Sequence, residues 1–165
     1  AVIDSRSAGS ELVLLVKKIC ELIESGADFE TVVEKAELYS RHTHVVFALS
    51  SFNNLVKNGR MSKIVGFVAN KLGFWGIGIG SEQGTIEIKQ KIRGSKKALD
   101  AIIEDMKERG YNCGKVVISH CRNAEFAESV KSAIQSVWDK AEVKIVHARG
   151  LCSYYAEKGG LIIGF

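Results

Sequence analysis

The sequence of 165 residues predicts a mixed α/β fold, because two kinds of periodicity alternate along it. In several segments apolar residues recur every three to four positions, which is typical of helices that cover one face of a sheet. Short β-branched runs separate these segments and indicate strands. One run, from Thr85 to Arg93, alternates between apolar and polar residues after a glycine-containing turn, which predicts an antiparallel hairpin. We therefore expect strands joined both by helices and by a hairpin.

The first 57 residues are predicted to contain three helices and a strand. Ser10 offers a hydroxyl N-cap to the first helix, whose apolar residues keep helical spacing until Gly26 ends it. Asp28 starts the second helix, and Ser50 with Ser51 caps a short third one. The predicted elements, in chain order, are a strand stub at 2–3, a polar turn at 4–10, helices at 12–23 and 29–38, a strand at 43–49 and a short helix at 53–56.

The remaining residues are predicted to alternate between helices and strands. Gly73 and Gly110 end two of the helices, and Ser95 caps the helix that follows the hairpin. The predicted elements, in chain order, are a helix at 61–73, a glycine-rich strand at 74–80, the alternating strand at 85–93, a helix at 95–110, a strand at 115–119, a helix at 123–137, a strand at 142–147, a short helix at 150–157 and a closing strand at 161–163.

The composition excludes several classes of protein. Apolar residues make up 46% and charged residues 25%, as in ordinary globular proteins. The net charge is only +4 and no basic block is present, so we expect no nucleic-acid partner. No apolar run reaches the roughly 18 to 20 residues of a membrane span. Scattered cysteines suit free thiols in a reducing compartment, which predicts a cytoplasmic protein; they are Cys20, Cys113, Cys121 and Cys152.

The start of the chain carries its own expectation. It opens at Ala1, without an initiator Met, and passes directly into an apolar run that is typical of a buried strand. We therefore expect the sequence to be a fragment of a longer protein.

Glycine occupies three alternate positions of the strand at 74–80, which are Gly76, Gly78 and Gly80. In an extended chain these three share one face, while Ile77 and Ile79 point to the other. The spacing differs from that of a dinucleotide-binding fingerprint, and the glycines lie within a strand. The bare face is expected to pack closely against another part of the chain or, as the alternative, against a slender ligand such as an alkyl chain.

Two groups of residues could carry chemistry. His42 and His44 fall on one face of an extended segment and could form half of a metal site, but nothing at the usual spacing completes it. Ser119, His120 and Cys121 place a nucleophile beside a base. Neighbouring strand residues project to opposite faces, which argues against a catalytic hydrogen bond between Ser119 and His120. We therefore predict no metal and no catalytic residue.

The order of the motifs resembles the DegV family of bacterial fatty-acid-binding proteins. Asp4-Ser5-x-Ser7 precedes an apolar helix, and residues 55–63 read Leu-Val-Lys-Asn-Gly-Arg-Met-Ser-Lys, similar to the family's Leu-x-x-Gly-Gly-Arg-Ile-Ser segment. Residues 91–99, Lys-Ile-Arg-Gly-Ser-Lys-Lys-Ala-Leu, look like its Lys-Val-Arg-Gly-x-Lys-Lys-Ala-Leu segment. Residues 118–120 match an Ile-Ser-His strand end. The resemblance covers the whole chain and corresponds to the C-terminal part of a DegV protein.

The resemblance implies a two-lobed α/β fold that binds one long-chain fatty acid and needs no other cofactor. Such proteins are carriers that present the acyl carboxylate to a separate fatty-acid kinase subunit. By this likeness residues 1–57 form the C-terminal part of an incomplete first lobe. Residues 58–154 form a complete second α/β lobe, and residues 155–165 form a closing strand that returns to the first. A broken first lobe should expose apolar surface, so we expect self-association.

The resemblance also implies the site residues. Arg60 and Arg93 stand at the family's two arginine positions, and Tyr155 replaces the histidine of its His-x-Gly-Pro-Gly motif, which here reads Tyr-Ala-Glu-Lys-Gly. These three side chains are expected to hold the fatty-acid carboxylate, since a phenol and a guanidinium both donate hydrogen bonds. Residues expected to line the acyl chain are Phe74, Gly76, Ile77 and Gly78.

Two other functions stay open at this point. The changed motif could mark a non-lipid interaction or regulatory module that keeps the fold after losing the histidine site. A small hydrolase that uses His120 or Cys121 is the third alternative.

Overall fold

The computed structural model describes residues 1–61 and 73–165. Their helices are α1 (Ser10–Glu24), α2 (Phe29–Ser40), α3 (Asn53–Lys57), α4 (Ser95–Glu108), α5 (Ala124–Val137) and α6 (Gly150–Ala156). Their strands are β1 (Val45–Leu49), β2 (Phe74–Gly80), β3 (Ile86–Arg93), β4 (Lys115–His120), β5 (Glu142–His147) and β6 (Leu161–Gly164). The helix predicted at 61–73 lies, apart from its two end residues, outside the described residues.

The six strands form one mixed sheet in the order β3-β2-β1-β6-β4-β5. The hairpin joins β2 to β3, and β4 pairs in parallel with β5 through α5. The closing strand β6 runs antiparallel to both of its neighbours, β1 and β4. The predicted mixture of hairpin-connected and helix-connected strands is therefore confirmed.

The register places the ends of the strands along one sheet edge, which we call the upper edge. There Leu49 at the end of β1 pairs with Gly76 near the start of β2, and Arg93 at the end of β3 pairs with Phe74. On the other half of the sheet His120 at the end of β4 pairs with both Leu161 and His147. Strands β1, β3, β4 and β5 thus end at the upper edge, where β2 and β6 begin.

Helices cover both faces of the sheet. Amphipathic α4 and α5 bury their apolar sides against the first face and form the main core, which includes Ile77, Ile102, Ile118, Ile134 and Ile163. On the second face α1 packs on β4 and β6, and α2 packs on α1. Near the upper edge α3 and α6 pack against each other. The second face therefore carries α3 and α6 near the upper edge, in addition to α1 and α2.

A buried carboxylate ties α4 to the hairpin strand β3. Asp105, only 2% exposed, accepts hydrogen bonds from Lys89 Nζ at 2.7 Å and from Arg109 Nε at 2.9 Å. Lys89 also contacts Glu108 at 2.7 Å, and these two carboxylates raise the pKa of the lysine. Because a buried charge is costly without partners, this cluster holds α4 in one position on the sheet.

Two local predictions near the start of the chain are wrong. The run Val2-Ile3 is not a strand, and Val2 is almost completely exposed, because it finds no pairing partner among the described strands. Ser10 is the first helical residue, with Gly9 at the N-cap position. The Ser10 hydroxyl instead donates to the backbone oxygen of Ile162 at 2.6 Å and lies 2.8 Å from Ser119 Oγ. Its side chain therefore joins α1 to the sheet.

The boundary expected between residues 57 and 58 does not divide this sheet. Strand β1 precedes the boundary and β2 follows it, yet the two pair over four residues. The closing strand from the expected segment 155–165 joins the same sheet beside β1 and β4. The described strands thus form one structural unit, and the assignment of three segments to two lobes stays a prediction. None of the described helices is long and apolar enough to cross a membrane.

Candidate functional site

The glycine face of β2 is covered by two phenylalanine rings. A Cβ atom added at Gly76 would lie 2.1 Å from Cζ of Phe52, and one at Gly78 would lie 2.5 Å from the ring of Phe47. Real Cβ atoms do not approach other atoms so closely, so only glycine allows these rings to lie on the strand. Of the two expectations for the bare face, close packing by another part of the chain is the one found.

These rings belong to an apolar cluster on the second face, which we call the Phe cluster. Its buried members are Phe47, Leu49, Phe52, Leu55 and Ala156. Around them lie partly buried side chains at the margin of the cluster, which are Met61, Ile88, Cys121, Tyr155 and Ile162. The members come from β1, β3, β6, α3, α6 and the ends of β4 and α3, so the cluster sits where these elements meet near the upper edge.

The residues expected to line an acyl chain do not share one surface. Gly76 and Gly78 lie under the Phe cluster, whereas Ile77 is fully buried in the main core on the opposite face. The alternation of a strand imposes this separation, so Ile77 cannot line the same groove as its neighbours. Phe74 begins β2, and its ring lies 6.0 Å from the guanidinium carbon of Arg93.

The expected carboxylate-binding residues all lie near the upper edge but at different places along it. Tyr155 is on α6 at the margin of the Phe cluster, and Arg60 is exposed just after α3, which packs on α6. Arg93 ends the outer strand β3, three strand spacings or roughly 14 Å from β6. Within the described residues the Tyr155 hydroxyl has no hydrogen-bond partner. Tyr155 and Arg60 are therefore the closer pair by topology.

A polar loop at residues 157–160 closes this end of the sheet. The backbone of Gly159 donates to the oxygen of Cys121 at 2.8 Å, and the backbone of Cys121 donates to the oxygen of Gly160 at 2.9 Å. The side-chain amide of Asn123 donates to the Gly159 oxygen at 2.8 Å, while the backbone N–H of Asn123 donates to Nδ1 of His120 at 3.1 Å. The end of β4 therefore fixes the loop that follows Tyr155.

His120 also lies at the upper edge, at the end of β4, although the sequence suggested it only as a base beside Ser119. It is 3% exposed, and its ring lies 4.5 Å from that of His147, centre to centre. Burial, and secondarily the neighbouring imidazole of His147, lower the pKa of His120. The ring is therefore neutral near pH 7, which agrees with an Nδ1 that accepts a hydrogen bond.

The structure separates the three residues of the suggested hydrolase. Ser119 faces α1, where its hydroxyl lies beside Ser10, while His120 bonds to Asn123 and Cys121 borders the Phe cluster. The suggested metal pair does not gain further ligands either. His42 is exposed and His44 packs on Phe165, and the described residues contain no group of three or more His, Cys, Asp or Glu placed to hold a metal ion.

Glu157 has a structural role that its place in the motif did not reveal. Its backbone has φ 53°, a left-handed conformation that glycine adopts at no cost, and the resembling motif has glycine there. Its carboxylate accepts hydrogen bonds from the Ser51 hydroxyl at 2.7 Å and from the backbone N–H of Asn54 at 2.9 Å. The negative charge is thus directed at the start of α3, where backbone donors compensate for it.

Replacing Glu157 with glutamine should lower the free energy of unfolding by about 1 kcal/mol, because the charge-assisted bonds to α3 become neutral ones. Chemical denaturation measures this change. Glu128→Gln is the matched control, since Glu128 is an exposed residue of α5. Equal stability of the two variants would contradict the role given to Glu157.

The fold and the site together define a mixed α/β protein in which loops at one sheet edge surround an apolar cluster. The model of the DegV family, a family of uncharacterised proteins, matches residues 1–165. The chain belongs to the DegV family, and the membership expected from its motifs is confirmed.

Individual relatives agree with this assignment. A DegV domain-containing protein of Streptococcus pyogenes serotype M1 is 44% identical over 164 residues, which are 99% of this chain and 59% of the relative. The structure of the Streptococcus pneumoniae Fatty Acid Kinase (Fak) B3 protein loaded with linoleic acid has a TM-score of 0.97 at 42% identity, covering 100% of this chain and 59% of that one. A DegV family protein from Eubacterium eligens loaded with heptadecanoic acid has a TM-score of 0.96 at 37% identity, covering 99% and 59%. The chain therefore spans about 59% of the length of these relatives.

Proposed function

We propose that this chain is part of a carrier that binds one long-chain fatty acid. The observation that carries the proposal is that two relatives with its fold, at 42% and 37% identity, are loaded with linoleic and heptadecanoic acid. The chain accounts for about 59% of each of them. The carrier activity is proposed for the protein to which this chain contributes the Phe cluster and the 157–160 loop.

The Phe cluster suits an alkyl chain. Burial of apolar surface stabilises by about 0.8 kcal/mol per methylene group, and this requires apolar walls but no reactive side chain. We place the acyl chain along the margin of the cluster, against Ile88, Ile162 and Met61, which are only partly buried. Gly76 and Gly78 contribute indirectly, because they let the rings of Phe52 and Phe47 lie close against the strand. Phe74 would extend the apolar surface at the start of β2.

We assign the carboxylate to Tyr155, with Arg60 as the nearby cation. A phenol donates a single hydrogen bond to a carboxylate, and a guanidinium can donate two. Tyr155 borders the Phe cluster, along whose margin we place the acyl chain, so its phenol lies at the same site. Arg93 belongs to the same expected set, and its distant position on β3 favours a contact with the anionic surface of a partner.

The proposed partner is a separate fatty-acid kinase subunit. One relative with this fold bears the name of a fatty acid kinase protein, which supports the pairing. A carrier that exposes the carboxylate at the upper edge would leave the phosphoryl transfer to that subunit. We expect the pair to act in the cytoplasm, because the cysteines of this chain are free thiols, which suit a reducing compartment.

The test compares Tyr155→Phe with Tyr154→Phe, a matched control on the neighbouring residue. The Tyr154 ring packs on that of Tyr155, but its hydroxyl already accepts a hydrogen bond from Asn58 Nδ2 at 3.0 Å. Loss of the Tyr155 hydroxyl should weaken the binding of linoleic acid about tenfold, equivalent to ~1.4 kcal/mol. Isothermal titration calorimetry measures this change in affinity. Tyr154→Phe should change the affinity by less than about twofold.

The hydrocarbon heptadecane supplies the second arm of this experiment. It offers an alkyl chain but has no oxygen that could accept a hydrogen bond, so both variants should bind it with equal affinity. An equal loss for the acid and the hydrocarbon would show that Tyr155 acts on the alkyl chain, against the assignment. No binding of linoleic acid by the full-length parent protein would count against fatty-acid carriage and in favour of an interaction module.

A further inference from the structure

A cationic cleft lies at the edge of the sheet opposite the upper edge. Its volume is about 420 Å³, and its floor is formed by small apolar residues at the starts of β4 and β5. The polar side chains that line it are Lys17, Lys115, Lys131, Gln135, Glu142 and Lys144. Four lysines therefore face a single glutamate within the lining, and Lys115 is in addition paired with Glu21 of α1. The cleft has an excess of positive charge.

The lysines of this cleft lie on both faces of the sheet. Lys17 lies on α1, which packs on the second face, and Lys131 lies on α5, which packs on the first. Lys144 is exposed on β5, in register with Val117 of β4. Val143, next to Lys144, packs toward the main core, so Lys144 points to the second face. The cleft at the starts of β4 and β5 thus has cations on each face of the sheet.

Strand β5 is also an outer strand of the sheet. Among the described strands it pairs only with β4, so the backbone N–H and C=O groups on its other side have no strand partner there. Such an edge can accept an added strand, whose main-chain hydrogen bonds supply affinity. The side chains of an added strand alternate between the two faces. Acidic residues at successive positions would therefore reach Lys144 on one face and Lys131 on the other.

We propose that the cationic cleft binds an acidic segment of a partner protein. This segment adds to the sheet as an extended strand along β5. Charge complementarity selects this occupant. A small polyanion would be held best by cations that converge on one point, whereas these lysines are spread over two faces. A second copy of this chain would bring Lys144 close to the lysines of its partner. The proposal does not depend on fatty-acid binding, because the cleft lies at the opposite edge from Tyr155.

Fluorescence anisotropy with a labelled acidic peptide tests the proposal on the whole chain. The peptide has about ten residues, with glutamate at roughly half of them in both odd and even positions, and the double variant Lys131→Glu/Lys144→Glu is compared with the parent. We expect the variant to bind at least about tenfold more weakly. The control Lys96→Glu/Lys97→Glu makes the same change of net charge at exposed positions of α4, and should stay within about twofold of the parent.

A peptide with the same sequence and N-methylated backbone amides separates strand addition from simple charge attraction. It should lose most of its affinity, because it cannot donate main-chain hydrogen bonds to β5. Equal binding of the two peptides would overturn the proposal, as would an equal loss in both double variants. Tighter, Lys131- and Lys144-dependent binding of inorganic triphosphate would replace it with a small-anion site. Failure of the parent to bind the acidic peptide would also overturn it, and so would self-association that the cleft variant abolishes.

Discussion

Replacing Gly78 with alanine is expected to destabilise the protein by about 3 kcal/mol or more, although the change adds only one methyl group. The new Cβ atom would lie 2.4 Å from the backbone oxygen of Glu87 and 2.5 Å from the ring of Phe47. The pairing register of β2 with β3 shifts between Ile77 and Gly78. The backbone of both strands is therefore already held in an irregular arrangement at this point. Strand and ring would have to move together. Urea denaturation measures the change in the free energy of unfolding.

Gly80 provides the matched control for this prediction. It lies on the same strand and the same face, but a Cβ atom there would meet only Cγ1 of Val45, at 3.0 Å. That side-chain end can shift by a few tenths of an ångström, so Gly80→Ala should cost less than about 1 kcal/mol. A similar loss in both variants would mean that strand propensity, and not the close approach of Glu87 and Phe47, decides the effect.

Asp105→Asn is expected to cost about 3 kcal/mol, because it leaves two cations around a buried neutral amide. Asp105 is the carboxylate that both Lys89 and Arg109 contact. The expected loss is at the lower end for a broken buried pair, since both cations keep partial access to water. Glu108→Gln removes the other, exposed partner of Lys89 and should cost no more than about 1 kcal/mol.

The pH dependence of this difference tests its electrostatic origin. The Asp105 and Glu108 carboxylates raise the pKa of Lys89 above its ordinary value of 10.5. A raised lysine pKa contributes stability below the ordinary value, and this contribution is lost as the pH rises through the folded-state pKa. The difference in the free energy of unfolding between Asp105→Asn and the parent should therefore become smaller in alkaline solution. Part of this difference should persist, because Asp105 also contacts Arg109. A gap that is independent of pH would indicate altered packing instead.

The element types could be predicted from the sequence because local signals determine them. The alternation from Thr85 to Arg93 and the helical spacing after Ser95 each describe one element by itself, and both elements are found. The choice of Ser10 as an N-cap failed for a non-local reason. Its hydroxyl is bound by Ile162 and lies beside Ser119, residues that are far away along the chain. No local pattern contains those partners.

The candidate site shows the same limit. The spacing of the glycines in β2 predicts a strand face without side chains. It does not show that Phe47 and Phe52 cover this face. The carboxylate of Glu157 holds α3 through Ser51 and Asn54, a structural role that the motif does not show. In both cases the contacting residues lie on elements that come next to the motif only after the sheet has assembled. A motif alone therefore shows where a site is, but not which residues its side chains contact.

The position of β6 has a consequence for how the chain folds. On one side of β6, β1, β2 and the hairpin strand β3 are antiparallel neighbours, and on the other side β4, α5 and β5 make a compact parallel unit. Within the sheet the two halves are joined by β6, in which Ile163 pairs with both Val46 and Ile118, and on the first face α4 packs against α5. Contacts of such long sequence separation form slowly, because chain entropy must be lost before they are gained. We therefore expect the pairing of β6 with β1 and β4 to form late in folding and to make unfolding of the whole sheet cooperative.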